Sequence, residues 1–263
     1  MRLGAVAVTT ALLSACAGPG GSSDESTGAG TDRVPLSQVK ALADPQAYEG
    51  PSTATLSDRA VEPVAEDPEQ ALPATVTSHD RAGDRQLVVK DTSRVVAMNL
   101  SGSIAATVWG LGFGKTLVGR DQAAELPGTE DVPVVTSGGH SVNAESVLDL
   151  EPTLVITDGS VGPRDVVEQL RDAGITVVFI DDESSFDGAQ QMARDVAAVY
   201  GAPQAGELLA QQIDEQVASV EQQVERLAPQ KKSDRLRMVF LYLRGSAGIY
   251  YLFGEESGAD DLI

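Results

Sequence analysis

The sequence predicts an α/β fold in which the strands of a parallel sheet alternate with helices. Between residues 94 and 181, short runs rich in β-branched residues alternate with segments of helical periodicity. A long stretch of good helix formers follows at 203–227. Two more strand-like runs, at 237–245 and 249–254, predict a β-hairpin after that helix. Alternation of this kind is typical of a parallel sheet covered by helices on both faces.

The first predicted elements are a hairpin and a strand–helix–strand unit. Two alternating runs flank residues 79–84 and predict a hairpin over 72–89. The run 94–99 predicts a strand, and the serines within 101–103 are capping residues for a helix that ends in glycines. A strand at 116–119 completes the unit.

The same alternation continues further along the chain. Asn143 is a candidate N-cap for a short helix, and Gly174 is placed to end a later one. The other elements predicted in this stretch are strands at 133–135, 153–157 and 175–181 and a helix at 163–173.

Two long helices are predicted next, at 186–200 and 203–227. Apolar residues at three- and four-residue steps in the second helix, including Leu208 and Leu209, predict its buried face. A helix of twenty-five residues is about 37 Å long, which is enough to join one lobe of a protein to another.

The N-terminus has the features of an exported lipoprotein. Arg2 precedes an uncharged apolar run at 3–13 that is too short to span a bilayer, which indicates a signal peptide. The run ends in Leu-Ser-Ala-Cys, which resembles the lipobox of bacterial lipoproteins, so we expect residues 1–16 to be the signal and Cys16 to be lipidated. An ordinary signal peptide cleaved elsewhere is the alternative. Residues 17–71, rich in Gly, Ser, Pro and acidic residues, predict a flexible acidic spacer.

Composition excludes several classes of function. The chain has 19 basic and 39 acidic residues and a net charge of −20, which argues against nucleic acid and anionic lipid as partners. We therefore expect contact with the membrane through the lipid anchor only. Cys16 is the only cysteine, so neither an internal disulfide nor a cysteine-rich zinc site is expected.

No motif predicts catalysis. Residues 110–116 resemble a phosphate-binding P-loop, but Trp109 stands where the first glycine of that motif is needed. The glycines are better interpreted as the end of a helix. The G-x-S-x-G turn of hydrolases is absent from the sequence, so we expect a binding protein rather than an enzyme.

The most specific phrases of the chain resemble a family of binding proteins. ESVLDLEPTLVIT at 145–157 and AGITVVFID at 173–181 are similar to the ABC-importer binding proteins that serve heme, siderophores and cobalamin. Within that family, Ser-Gly-Gly-His at 137–140 and Tyr-Leu-Arg at 242–244 resemble the actinobacterial heme-binding lipoproteins of HmuT type.

The resemblance implies a two-lobed periplasmic-binding-protein fold with a single long helix between the lobes. It assigns 72–185 to the N-terminal α/β lobe, 186–229 to helices including the inter-lobe helix, and 230–263 to the start of a C-terminal lobe. Since no complete second α/β lobe fits after the long helix, we expect that lobe to be truncated.

The resemblance also implies a function and a site. Heme would lie between the lobes with its iron held by His140 and Tyr242, and Arg244 would contact the ligating phenolate oxygen. Glu145 would dock the ABC permease, which works with its ATPase in iron acquisition. Surface heme-binding proteins are a further partner that the resemblance leaves open. A ferric-siderophore or cobalamin binding protein of the same class is the alternative.

Residue chemistry is compatible with this site but leaves alternatives open. Imidazole and phenolate are both ligands of ferric heme. Tyr242 and Arg244 stand two residues apart on a predicted strand and therefore share a face. His140 can equally be a solvated loop histidine, Tyr242 a core residue, and Glu145 an ordinary first-turn acid of a helix.

Other residues are weaker candidates. Tyr250 and Tyr251 can stack on a porphyrin or simply pack in a sheet. Asn99 and Ser101 are candidate contacts at a strand end. Met98 is a candidate sulfur ligand or core filler, and His79, in the predicted hairpin turn, is expected on the surface.

Overall fold

The computed structural model describes residues 35–51, 59–138, 141–244, 248–254 and 257–263. Its strands in chain order are β1 (Ala74–Asp80), β2 (Gly83–Val89), β3 (Val95–Met98), β4 (Leu117–Arg120), β5 (Thr136–Ser137), β6 (Ser141–Val142), β7 (Leu154–Thr157), β8 (Thr176–Phe179), β9 (Phe240–Arg244) and β10 (Ile249–Phe253). Its helices are α1 (Ser103–Gly110), α2 (Ala144–Leu148), α3 (Arg164–Asp172), α4 (Phe186–Val199), α5 (Pro203–Leu227) and α6 (Ala259–Leu262).

A four-stranded parallel sheet forms the centre of the fold. Its strand order is β4-β3-β7-β8, and each strand is parallel to its neighbours. Every residue of β3 and of β7 is buried. Burial on both faces explains why these strands are continuous apolar runs in the sequence rather than alternating ones.

Helices cover both faces of this sheet, as predicted. Val95 and Ala97 of β3 pack in a core formed with α1, α4 and the start of α5. Val96 and Met98 point to the opposite side, into a core formed with α2 and α3. Met98 is 1% exposed in that core, so it is a packing residue and not an exposed sulfur ligand.

The glycines at 110–116 end a helix, as the sequence indicated. α1 stops at Gly110, and Gly112 has a φ of +98°, which suits a glycine. A 3-10 turn over Gly114–Thr116 then leads directly into β4. This order of helix before strand is the reverse of a P-loop.

The long helix α5 has the predicted bounds, and its predicted apolar positions are buried only in part. Ala205, Leu209 and Ala210 are buried, mainly against α4, and Gly206 lies so close to Ala197 that a Cβ atom would not fit. Leu208 is 53% exposed, so its expected place on the buried face is wrong. At 100° per residue, the buried positions 205, 206, 209 and 210 share one side of the helix, and position 208 lies on the other.

A segment before the first hairpin lies along the lobe. The amide of Val64 donates to the carbonyl of Gly110 (2.8 Å), and the amide of Ala71 donates to the carbonyl of Gly201 (2.9 Å). Gly201 has a φ of +63°, and a Cβ atom there would lie 2.5 Å from the Ala71 carbonyl oxygen. The flexible spacer expected over 17–71 is therefore wrong for this stretch, because these hydrogen bonds hold it against the lobe.

The second hairpin is present as predicted, and a short helix follows it. β9 and β10 pair antiparallel, and α6 follows with the amide of Phe186 donating to the Asp261 carboxylate (3.2 Å). Phe240 and Phe253 of the hairpin lie beside Ser185 at the start of α4. In the described part of the chain, none of the helices combines the length and apolar character needed to cross a membrane.

Candidate functional site

The carboxyl ends of the four parallel strands lie along one edge of the sheet, which we call the carboxyl edge. In open α/β sheets, ligands bind at this edge. Polar residues follow the strands here: Asn99 after β3, Asp121 after β4, Asp158 after β7 and Asp182 after β8. Hydrogen bonds between the loops fix the shape of the edge.

Asn99 organises the loop after β3. Its side-chain amide donates to the hydroxyls of Ser101 (2.9 Å) and Ser103 (2.8 Å), and its Oδ1 accepts from the amide of Ile104 (3.4 Å) at the start of α1. It is 1% exposed. Asn99 is therefore not the ligand contact that its position suggested, because its polar atoms are used within the fold. Ser101 is exposed at the rim of the carboxyl edge, so it stays a candidate ligand contact.

Asp121 joins the loops after β3 and β4. Its carboxylate accepts from the amides of Asn99 (3.3 Å), Ala123 (2.7 Å) and Ala124 (2.9 Å). Burial raises the pKa of Asp121 above its ordinary value, and the backbone hydrogen bonds oppose that rise. Sequence reasoning missed this residue, although an acid directly after a predicted strand was a visible signal.

A second connection joins the loops after β3 and β7. The amide of Leu100 donates to Ser160 Oγ (2.9 Å), and that hydroxyl donates to Asp158 Oδ1 (2.6 Å). The loop after β7 is thus held against the loop after β3, and together they form a fixed floor at the carboxyl edge.

The described residues on either side of His140 in the chain connect to this floor. β5 and β6 pair antiparallel on either side of it, with Ser137 opposite Ser141. Ser141 also forms a parallel bridge with Gly162, in the loop after β7. His140 itself lies outside the described residues, as does Cys16.

Tyr242 lies in the second hairpin, opposite Tyr251. The two ring centroids are 6.1 Å apart, and the neighbouring pair Phe240–Phe253 has centroids 5.5 Å apart on the same face of the hairpin. Tyr242 is 50% exposed. Tyr250 alternates to the other face, so of the two candidate stacking residues only Tyr251 neighbours Tyr242.

The structure places the second hairpin beside the carboxyl edge. A shallow cavity of about 300 Å³ lies between Phe240, Phe253 and the start of α4. The loop after β8 leads into α4. Arg244 ends β9 two residues after Tyr242, and its backbone pairs with Ile249.

Glu145 is exposed in the first turn of α2. Asn143 caps this helix as predicted, with its Oδ1 accepting from the amides of Glu145 (2.9 Å) and Ser146 (3.4 Å). The carboxylate is therefore presented from a short, capped helix on the surface.

His79 is not the surface turn residue that the sequence suggested. It lies inside β1, opposite Asp84, and its side chain is 29% exposed. Its Nδ1 is 3.1 Å from Asp84 Oδ1 and 3.5 Å from Asp181 Oδ2. The turn of the hairpin contains Arg81 and Ala82 instead, because β1 runs two residues further than the alternation indicated.

Clustered metal ligands are not found in the parts of the chain that the structure describes. Among those residues, no group of three or more His, Cys, Asp or Glu side chains is arranged to hold a metal ion.

Comparison with solved structures gives a strong match to heme-binding proteins. A crystal structure of an alanine variant of heme binding protein HmuT matches with a TM-score of 0.77 at 37% identity, covering 87% of this chain and 68% of that chain. The apo form of the periplasmic heme-binding protein RhuT from Roseiflexus sp. RS-1 matches with a TM-score of 0.57 at 32% identity, covering 65% and 63%.

Curated relatives are more distant. An ABC transporter substrate-binding lipoprotein, YvrC of Bacillus subtilis, is 25% identical over 69% of this chain and 55% of its own length. A cobalamin-binding protein of Halobacterium salinarum is 30% identical over 59% of this chain and 42% of its own length. The chain thus spans about half the length of the curated relatives it matches.

The family profile described as "Periplasmic binding protein" matches residues 97–263, which include most of the parallel sheet, α5 and the second hairpin. With its α/β sheet, its long helix and this match over more than half of its length, the chain belongs to the periplasmic binding protein family.

Proposed function

We propose that this protein is the substrate-binding component of an ABC importer and that it captures heme outside the cytoplasmic membrane for iron acquisition. The observation that carries this proposal is the similarity to heme binding protein HmuT, at 36% identity and a TM-score of 0.70 over 88% of this chain. The match to RhuT, also named as a heme-binding protein, supports the same ligand.

The proposed axial ligands are His140 and Tyr242. HmuT structures include alanine variants of a histidine, a tyrosine and an arginine, and the last two are two positions apart, as are Tyr242 and Arg244. The described neighbours of His140 attach to the carboxyl edge through Ser141. The hairpin that carries Tyr242 borders the same edge through Phe240.

Arg244 is proposed to stabilise the iron-bound phenolate. A free phenol has a pKa of about 10, so it must lose its proton to bind ferric iron at neutral pH. Ferric iron and a nearby guanidinium both favour the charged form. An arginine two residues from the ligating tyrosine, on the same strand, supplies that charge.

Cobalamin is the second candidate ligand, because the Halobacterium relative at 30% identity is named a cobalamin-binding protein. A ferric siderophore is a further possibility within the same class. Neither ligand requires the His140 and Tyr242 pair. Titration of the purified protein with hemin and, separately, with cobalamin tests the choice. Heme binding gives a Soret band that saturates at one equivalent, whereas an unchanged hemin spectrum with saturable cobalamin binding would reverse the assignment.

Delivery to the membrane is proposed to use Glu145 and the N-terminus. Glu145 would contact the permease, which acts with its ATPase. Cys16 would become the mature N-terminus after cleavage directly before it and would carry the lipid that tethers the protein to the outer face of the membrane. The spacer would be the part of 17–71 that precedes the segment lying along the lobe. The relative YvrC, itself named a lipoprotein, supports this location.

The proposed organisation has two lobes. Residues 72–185 form the N-terminal lobe. Residues 186–229 form helices, including the helix that joins the two lobes, and residues 230–263 form the start of the C-terminal lobe. The family is one of binding proteins, and we assign no catalytic residue.

A further inference from the structure

A cavity of about 320 Å³ lies beside the carboxyl edge, apart from the proposed axial ligands. It is bounded by the turn of the first hairpin, the loop after β7, one side of α3 and the end of β8. Three arginines line it, Arg81, Arg85 and Arg171. We call it the arginine pocket.

Two of the arginines are fixed by a carboxylate. Arg171 Nη2 donates to Asp80 Oδ1 (2.6 Å), and Arg85 Nε donates to Asp80 Oδ2 (3.0 Å). The Arg171 guanidinium also lies over the Phe179 ring, 5.3 Å from its centroid. Burial disfavours ionisation of Asp80, but its hydrogen bonds and the two guanidiniums outweigh burial and hold its pKa below the ordinary value. Asp80 is therefore charged at neutral pH, and each of its carboxylate oxygens accepts a hydrogen bond from an arginine.

The third arginine of the pocket is Arg81. Arg81 is exposed in the hairpin turn, and within the described part of the chain its guanidinium makes no hydrogen bond or ion pair. A guanidinium has five N–H donors in a planar fork that matches a carboxylate. Of the charged residues that line the pocket, three are arginines and two, Asp80 and Glu168, are acids.

This excess of positive charge is unusual for the molecule. The whole chain carries a net charge of −20, so its surface in general repels anions. The acids of the pocket are paired, and Arg81 has no ion pair with any residue that the structure describes, so the pocket is a local site of opposite sign. Anions would be drawn to it in preference to the rest of the surface.

The position of the pocket connects it to the proposed ligand. Its wall includes Gly159, Ser160 and Gly162 of the loop after β7. Gly162 forms the bridge with Ser141, the residue that directly follows His140. The volume is at the lower end of the range for small-molecule pockets, which suits one arm of a large ligand.

We propose that the arginine pocket is an anion subsite in which Arg81 binds a carboxylate arm of the ligand held at the carboxyl edge. This inference rests on the proposed function, and for heme the arm is a propionate. Arg85 and Arg171 neutralise Asp80 and so keep the pocket open to a negative group. The subsite would select acidic porphyrins over neutral ones.

The test compares hemin with hemin dimethyl ester, in which both propionates are neutral, for the wild type, Arg81→Ala and Lys115→Ala. Lys115 is an exposed control that removes the same charge, 84% exposed and paired only loosely with Asp67 at 3.5 Å. We expect the wild type and Lys115→Ala to prefer hemin by about tenfold, as for one charge-assisted hydrogen bond. Arg81→Ala should bind both porphyrins about equally.

Three results would overturn the inference. The first is an unchanged preference for hemin in Arg81→Ala, with the Soret band intact, which would leave the proposed function standing. The second is an equal loss of preference in Lys115→Ala, which would indicate overall charge rather than a subsite. The third is binding of neither porphyrin to the wild type, which would remove the proposed function as well.

Discussion

Arg171 of α3 and Asp80 of β1 are joined by a hydrogen bond of 2.6 Å, although 91 residues separate them in the chain. Both side chains are largely buried, with 17% and 9% of their surface exposed. The pair therefore attaches the first hairpin to the α/β lobe. It also sets the wall of the arginine pocket.

Replacing Asp80 with Asn should lower the free energy of unfolding by about 2 kcal/mol at neutral pH, because two guanidiniums lose their shared charge partner. Urea denaturation of the variant and the wild type measures this. Asp84→Asn is the matched control, since Asp84 is 66% exposed and contacts only His79 among the pairs described. Its effect should stay within about 0.5 kcal/mol.

The effect of Asp80→Asn should depend on pH. Folding lowers the pKa of Asp80 from its ordinary value of 3.8, so the ion pairs stabilise the protein fully above that value. The contribution is lost as pH falls through the lower pKa of the folded state. The difference between variant and wild type should thus shrink in acid, and a difference that grows below pH 4 would contradict the assignment.

Two adjacent leucines of α5 should differ sharply in their contribution to stability. Leu209 is 5% exposed and packs in the core shared with α4, whereas Leu208 is 53% exposed. Leu209→Ala should cost about 3 kcal/mol because it leaves a cavity, and Leu208→Ala about 0.5 kcal/mol. Chemical denaturation checks both, and equal costs would show that the observed face of α5 is wrong.

Glu145 should affect transport without affecting ligand binding. If it docks the permease, Glu145→Gln should slow heme uptake by cells while leaving the hemin titration of the purified protein unchanged. Asp187→Asn is the control, because Asp187 is also an exposed acid in the first turn of a helix. Equal uptake by the two variants would reduce Glu145 to an ordinary first-turn acid.

The sequence was sufficient to predict the central sheet and its helices because each element carries a local signal. β3 and β7 are buried on both faces and are therefore uniformly apolar. The bounds of α5 follow from Pro203 at its start and a long run of helix formers. Asn143 caps α2 through its own side chain, within three residues of chain.

What the sequence could not predict depends on contacts between distant residues. Asp80 and Arg171 meet only in the folded protein, and Arg81 becomes part of a pocket only because that pair places the hairpin beside α3. Asn99 looked available at a strand end, yet the fold uses its amide to hold Ser101 and Ser103. Periodicity gives no sign of such long-range pairing.

Heme is proposed to bind through His140 and Tyr242. An absorbance titration with hemin compares the wild type with His140→Ala, Tyr242→Phe and Tyr251→Phe. Tyr251→Phe is the matched control, because it removes a hydroxyl from the ring that faces Tyr242 across the hairpin.

The wild type and Tyr251→Phe should form the same Soret band, saturating at one equivalent of hemin. His140→Ala and Tyr242→Phe should shift that band and weaken binding at least about tenfold, as expected for loss of an axial ligand. A wild-type spectrum that does not change, or identical titrations of Tyr242→Phe and Tyr251→Phe, would contradict the assignment.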